Sequence, residues 1–382
     1  MDFSLSEDQK MFRDLFDEFA EKEVAKASEE TDREEKPPLD LLKKAAAQGF
    51  LGGPIPEQYG GAALDGVSET LLVEAFARHC LSTALTLSVH SSLASMTVLL
   101  AGDDEQKERF LPLLASGEAI GSLLLTEPEA GTDIRALQTT AAREGDGYRL
   151  NGLKTWALNA GIAGLHVVAA KTESGASMFA VEMGTPGLTI GYREPTLGLR
   201  GLTVNTVYLE DCLVPADHLL GDEGAGWEIV ARVTDRWRIA LAAAALGAAE
   251  GALDLGLRFA VERKQFGVPI AQKGAIQGYL AEAAMEIESL RHLVHHAAWL
   301  CDSGQPYSRE ASMAKYKGGV VAKNTTDKML QVHGGYGFSD EYAISRYYRD
   351  ARALRILGGA DEYQRTLIAA PELEKHGLHA QT

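Results

Sequence analysis

The chain has 382 residues, too many for one ordinary domain and enough for two or three that share a core. Its composition, 46% hydrophobic and 24% charged with 39 Gly and 12 Pro, excludes a disordered, collagen-like or low-complexity protein. With 37 Lys plus Arg against 54 Asp plus Glu, the formal net charge of -17 argues against nucleic acid and against anionic membrane surfaces as partners.

The start, MDFSLSEDQKMF, is acidic and has no apolar core, so it reads as neither a secretory signal nor an Arg-rich transit sequence. Residues 1–119 read as a helical domain. Ser6 and Gln9 stand at capping-box spacing, and Phe12, Leu15, Phe16 and Phe19 recur at helical period. Pro37 and Pro38 precede a second helix, Leu39 to Gln48, which Gly49 can stop. A loop rich in Gly and Pro (Gly52 to Gly61) follows, and three more helical runs end near Leu114. The apolar stretch from Thr83 to Leu100 is interrupted by Ser88, His90, Ser91, Ser92 and Ser95, which predicts a buried helix rather than a membrane span.

Residues 120–226 have a different texture. Short runs with strand character (GSLLL, GYRL, LHVVAA, SMFAVEM, LTIGY, TVYLE) alternate with turn clusters such as Glu144 to Gly147. Strands without intervening helices predict an antiparallel barrel or sandwich. Residues 227–382 return to the helical period, with long segments near 227–264, 275–302, 309–333 and 340–356 that read as a four-helix bundle. The expected fold class is therefore α+β: helical domain, central antiparallel β-barrel domain, four-helix bundle. Cys80, Cys212 and Cys301 lie far apart with no metal or disulfide spacing, which fits a reducing cytoplasm.

Five motifs carry chemistry. They are TEPEAGTD (Thr126–Asp133), NGLKTWALNAG (Asn151–Gly161), RKQFG (Arg263–Gly267), QVHGGYGF (Gln331–Phe338) and RYYRDARALRILGGADEYQR (Arg346–Arg365). Taken singly, each has a plain alternative: a β-turn, a core aromatic, a solvated basic face or a helix stop. In this order and spacing they resemble the acyl-CoA dehydrogenase family of flavoproteins, from LSEDQ to about Ala370. The resemblance implies an FAD cofactor and the same three-domain architecture. It places Leu125, Thr126, Gly131 and Thr132 against the isoalloxazine and pyrophosphate, with Trp156 beside the flavin. Arg263 reaches the pyrophosphate of an FAD held by a neighbouring subunit, and Phe266 belongs to the cofactor set. Gln331, Gly334 and Gly335 receive the adenosine half, and Ala360 and Glu362 complete the cofactor set. Because Arg263 and the glycine pair serve different subunits in that reading, it also implies a homo-oligomer, usually a tetramer.

The family reaction oxidises an acyl thioester at Cα–Cβ, with a carboxylate taking the α-proton and the flavin taking the β-hydrogen. The resemblance puts the base at Gly358 or, in other members, at Trp237. Neither is an acid. Leu158 replaces a Thr that faces the flavin, and Ala360 another Thr. Gly358 keeps its backbone N–H, so it could still bind a thioester carbonyl. Asp235, Arg238, Gly359 and Thr132 complete the substrate set. The lost side chain is expected to leave space, and that space with Arg238 is expected to accept a polar or anionic acyl substituent; the alternative is that Arg238 pairs with Asp235. Asp361 and Glu362 read chiefly as helix N-terminal charges, and His90 as a core histidine.

The function expected is an FAD-dependent dehydrogenase of acyl-CoA or carrier-protein thioesters, passing electrons to an electron-transfer flavoprotein. The alternatives are a non-catalytic partner subunit of a hetero-oligomer, a redox-neutral lyase or desulfinase-like enzyme, and, less closely, a flavin monooxygenase.

Overall fold

Ser6 starts the first helix as its spacing predicts: its hydroxyl accepts the Gln9 N–H at 3.1 Å, and the Gln9 side chain accepts the Ser6 N–H at 3.0 Å. The computed structural model describes residues 4–378; the first three residues of the acidic start and the last four of the expected bundle domain lie outside them. Helix α1 (Glu7–Phe19) runs through a π-helical stretch, Ala20–Val24, into α2 (Ala25–Arg33). Its aromatic stripe packs Phe16 edge-on to Phe50 and stacks Phe19 on Phe76. Then come α3 (Leu39–Ala47), α4 (Gly66–His79), α5 (Leu81–Ser88), a second π stretch at Val89–Ser95, α6 (Met96–Ala101) and α7 (Asp104–Ala115). The run Leu81–Ala101 is long and apolar enough to cross a membrane, but 83% of its most apolar window is buried inside the protein.

The central region carries β1 (Gly121–Leu124), β2 (Thr140–Glu144), β3 (Gly147–Leu158), β4 (Leu165–Thr172), β5 (Gly175–Glu182), β6 (Leu188–Arg193), β7 (Val204–Pro215) and β8 (Leu219–Leu220). The strand order is β6-β7-β3-β2-β4-β5-β8, with β1 beside β4. The sheet is open rather than the barrel expected. Its edge strand β8 is only two residues long and ends at Gly221 (φ +74°), so it does not reach β6 to close the ring. Pairing is mainly antiparallel, as expected, but β1 runs parallel to β4 from Gly121↔Leu165 to Leu124↔Val168.

Helix α8 (Gly226–Glu262) forms the spine of the C-terminal region, with α9 (Gly274–Asp302) and α10 (Ser308–His333) against it. Between α8 and α9 a hairpin pairs β9 (Lys264–Gln265) with β10 (Val268–Pro269). Its two-residue loop, Phe266–Gly267, has positive φ at both positions, the geometry of a primed turn. Ala242 to Ala245 are fully buried, and a Cβ added at Gly318 of α10 would lie 3.1 Å from Ala245 Cβ. Small residues thus let α8 and α10 pack closely.

The helix expected over 340–356 is present, and a further helix opens at Asp361, where Asp361 and Glu362 were expected as N-terminal charges. The first is α11 (Ala343–Ala351) with a 3-10 turn at Arg352–Arg355, and the second, beyond Gly358–Gly359, is α12 (Asp361–Glu374). The two glycines have φ of +69° and +95°, which no right-handed helix can contain. Asp350 at the end of α11 is buried and accepts the Leu199 N–H at 2.6 Å, while Arg349 pairs with Asp32 of α2. These contacts tie the bundle to both preceding regions.

Candidate active site

The TEPEAGTD segment leaves β1 at Leu124 and folds back on β3. Thr155 donates its N–H to Thr126 O at 2.9 Å. Beneath the turn lies an ion pair between Lys154 and Glu127 at 2.8 Å, with side-chain exposures of 0% and 3%. Glu127 also accepts the N–H groups of Gln138 (2.5 Å) and Thr139 (3.0 Å), and Lys154 reaches Leu125 O at 3.4 Å. Burial opposes the charge on both groups. For Glu127 the hydrogen bonds from Lys154 and Thr139 win and hold the carboxyl below its usual range; for Lys154 burial wins and pushes the ammonium down to about 8. The pair fixes the backbone of Leu125 and Thr126. Both members lie inside the TEPEAGTD and NGLKTWALNAG motifs, but nothing in the sequence pairs them.

Trp156 breaks the pleat of β3. The register with β7 shifts between Lys154 and Ala157, and Trp156 sits at φ +54° with 57% of its surface exposed. A large non-Gly residue at positive φ is uncommon and costs backbone strain. A bulge that turns a large indole outward is a platform for a flat partner. Leu158, two residues on, is half-buried, and its carbonyl accepts the Ser122 hydroxyl at 2.8 Å. Gly131 and Thr132 are exposed on the same loop, and a Cβ added at Gly131 would meet nothing within 4 Å.

At the far end of the bundle, Arg263, Gly334, Gly335, Tyr336 and Tyr342 line an open cleft of about 550 Å³. The Arg263 guanidinium lies 5.3 Å from the Tyr336 ring centre. Gly334 has φ +59°, and added Cβ atoms at Gly334 and Gly335 would meet nothing within 4 Å, so the backbone there is bare to a ligand. Arg263 and the glycine pair, expected to serve different subunits, line one cleft on one chain. The ends of α8 and α10 lie side by side, with Phe259 stacked on His333 at 4.3 Å, and this brings the two motifs together. Gln331 is exposed on the last turn of α10, and Phe266 is 94% exposed at the hairpin tip. An exposed indole beside backbone hydrogen-bonding groups suits a flavin ring, and a cation with a bare glycine cradle suits the charged and adenosine portions of a dinucleotide, so the residues at each place fit a part of FAD.

The base segment departs from expectation. The space expected beside Gly358 is filled: a Cβ added there would lie 2.6 Å from Leu241 Cδ1 and 3.7 Å from the Trp237 ring. Leu241 and Trp237, one turn apart on α8, are both buried, and Trp237 donates its indole N–H to Ser88 Oγ at 3.2 Å. Arg238 is likewise engaged. It pairs with Asp235 at 2.5 Å and donates to Gly358 O at 3.2 Å, and Asp235 also accepts the Ser308 hydroxyl. Gln364 donates to Gly358 O (3.0 Å) and Gly359 O (3.2 Å), and Lys315 donates to Gly359 O at 2.6 Å. Among the described residues, the Gly358 N–H has no hydrogen-bond partner.

Nearby acids are spent elsewhere. Asp361 is 2% exposed and pairs with Arg355 at 2.5 Å and Lys315 at 3.7 Å. Ala360 caps α12, and Glu362 is exposed in its first turn. His90 is a core residue: its Nδ1 accepts the Gly121 N–H at 2.9 Å, and burial pushes its pKa down to about 4, so it stays neutral. Lys315 and Leu241 lie in otherwise ordinary helical patterns, and Gln364, though inside the Arg346–Arg365 motif, carries no sequence sign of its reach to the glycine turn.

Comparison with known proteins gives the family and the fold. Three family models match in sequence: acyl-CoA dehydrogenase N-terminal domain over residues 6–118, middle domain over 122–212 and C-terminal domain over 224–372. The chain is 40% identical to an acryloyl-CoA reductase (NADH) of Anaerotignum propionicum, covering 98% of this chain and 97% of that one. It is 39% identical to a short-chain specific acyl-CoA dehydrogenase of Clostridium acetobutylicum, covering 97% and 99%. Its fold matches the butyryl-CoA dehydrogenase of Megasphaera elsdenii with a TM-score of 0.95 at 36% identity, covering 98% of this chain and 100% of that one.

Proposed function

Because the chain belongs to the acyl-CoA dehydrogenase family, we propose that it is an FAD-dependent oxidoreductase acting at Cα–Cβ of an acyl-CoA thioester, with no side-chain base where the family keeps one. The observation that carries this reading is the partner-free N–H of Gly358 on a turn whose carbonyls are all engaged, in a chain that also presents the Trp156 platform. FAD, when bound, supplies the acceptor for the two electrons and the β-hydrogen that leave the acyl chain.

The chain's own residues do the rest. Trp156, with the backbone of Leu125 and Thr126, orients the flavin. Arg263, with Gly334 and Gly335, holds the charged and adenosine portions of the dinucleotide. The Gly358 N–H binds the thioester oxygen and favours the negative charge that it gains as the α-proton leaves. Leu241 stands where a Cβ at position 358 would lie, so no side chain extends there from the turn. Asp235 and Asp361 are held by cations, so the α-proton goes to solvent rather than to either of them. The loss of a positioned base costs at least roughly two orders of magnitude in rate.

The same reading makes an electron-transfer flavoprotein the electron acceptor; a homotetramer stays the assembly that the resemblance implies, without support from Arg263 and the glycine pair, which line one cleft. Three unpaired cysteines, Cys80 and Cys212 buried and Cys301 half-buried, support a cytoplasmic setting. The filled acid position also favours a second reading, in which the chain lends its FAD site to a partner subunit that carries the base. Anaerobic titration of the purified protein with a panel of acyl-CoA thioesters distinguishes the two. Yellow protein bleached by a thioester supports the dehydrogenase. Protein that retains FAD only with a second chain supports the partner role, and yellow protein that converts thioester without bleaching refutes both.

A further inference from the structure

Behind the Gly358–Gly359 turn, three helices send donors to two carbonyl oxygens. Arg238 of α8 reaches Gly358 O, Lys315 of α10 reaches Gly359 O, and Gln364 of α12 reaches both. We propose that Lys315 is a positioning residue for the thioester: it holds this turn from behind, so that the Gly358 N–H stays available to the acyl carbonyl. The inference rests on the acyl-CoA reading above.

Burying a lysine ammonium is costly unless its donors are used. Lys315 is 1% exposed. Its nearest carboxylate, Asp361, is 3.7 Å away and already closely paired with Arg355, whereas its contact with Gly359 O is 2.6 Å. The strongest interaction of this lysine is therefore with the turn itself. The turn needs such a hold, because both its residues lie at positive φ, a conformation that the surroundings must impose.

The charges point the same way. The groups facing the turn are Arg238 and Asp235 from α8, Lys315 from α10, Arg355 from the 3-10 turn and Asp361 from α12. They are three cations against two carboxylates, and position 358 itself contributes none. The excess positive charge lies behind the turn whose N–H meets an oxygen gaining negative charge. Burial, with Arg238 and Arg355 nearby, pushes Lys315 down to about 8 against the pull of Asp361, so this charge titrates just above neutrality.

The test uses the FAD-loaded full chain and acetyl-CoA, which has no β-carbon and cannot be oxidised. Lys315→Met and Gln364→Leu are compared with the unaltered protein by calorimetry at pH 7 and pH 9, with bound FAD measured in parallel. Both variants are expected to keep FAD and to bind acetyl-CoA about tenfold more weakly at pH 7, the loss of one charge-assisted or buried hydrogen bond. Raising the pH to 9 should weaken binding about threefold or more in the unaltered protein and leave Lys315→Met unchanged. Full affinity in Lys315→Met, or a persisting pH effect in it, overturns the proposal. If Lys315→Met does not retain FAD, full affinity in Gln364→Leu overturns it instead. If the unaltered protein binds no acyl-CoA at all, the acyl-CoA reading fails, a result distinct from these.

Discussion

Restoring a carboxylate by Gly358→Glu tests whether the acid position is closed by packing. The backbone at 358 has φ +69°, which costs an L-residue about 1–2 kcal/mol. The new Cβ would fall 2.6 Å from Leu241 Cδ1, and forcing extra atoms into a packed site costs about 1–3 kcal/mol. The single variant is therefore expected to lose about 2–5 kcal/mol. Leu241→Ala alone removes a buried side chain and should cost a similar about 2–5 kcal/mol. In the double variant the glutamate occupies the vacated volume and gains Arg238 and Lys315 as cationic neighbours. The combined loss should then fall short of additive by at least about 1 kcal/mol. Thermal unfolding followed by flavin fluorescence measures the cycle. Anaerobic bleaching by butyryl-CoA should speed up roughly 100-fold in the double variant. Additive losses, or a Gly358→Glu protein as stable as the unaltered one, would show that Leu241 does not hold this space.

Three other outcomes follow from the geometry. Lys154→Met strands Glu127 as a buried charge and should cost about 3–5 kcal/mol together with FAD, while Lys154→Met with Glu127→Gln recovers much of it; a melt and a flavin assay decide. Burial, together with the nearby Asp32 charge, raises Asp350 from 3.8 to about 6 despite the Leu199 N–H bond. The folded state thus holds this proton more tightly, so its contribution is full below pH 3.8 and is lost as pH rises through about 6. Asp350→Asn keeps an acceptor for Leu199, and the stability difference between the two proteins should change by about 3 kcal/mol across that window in urea titrations; a difference flat with pH refutes the assignment. Arg263→Met should weaken FAD binding about tenfold or more without moving the apo-protein melt, and unchanged flavin affinity would remove Arg263 from the site.

Much of the fold was legible because its signals are local. The Ser6–Gln9 cap, the helical apolar stripes and the strand runs at 121–124, 165–172 and 175–182 each depend on neighbours within a few residues. The open edge of the sheet was not legible, since closure depends on whether β6 meets a two-residue β8 thirty positions away. The start of the last helix was legible, from Asp361 and Glu362 just after Gly358–Gly359. Within the site, Thr126, Trp156, Arg263 and Gly334 could be named from motifs. The Glu127–Lys154 pair that fixes one of those motifs could not, because a buried ion pair looks like two ordinary charges in sequence.

The sequence by itself determined that position 358 is a glycine and position 237 a tryptophan, and so that no acid stands at either place where the resemblance puts the base. Residue identity is a property of the chain. What surrounds an identity is not, and only the tertiary structure decided that Leu241 fills the missing side chain's volume and that Arg238 is engaged by Asp235. It also brought donors 120, 44 and 6 residues away onto the carbonyls of one turn. Volume and pairing depend on how distant helices pack, and close packing leaves one arrangement of neighbours where composition allows many.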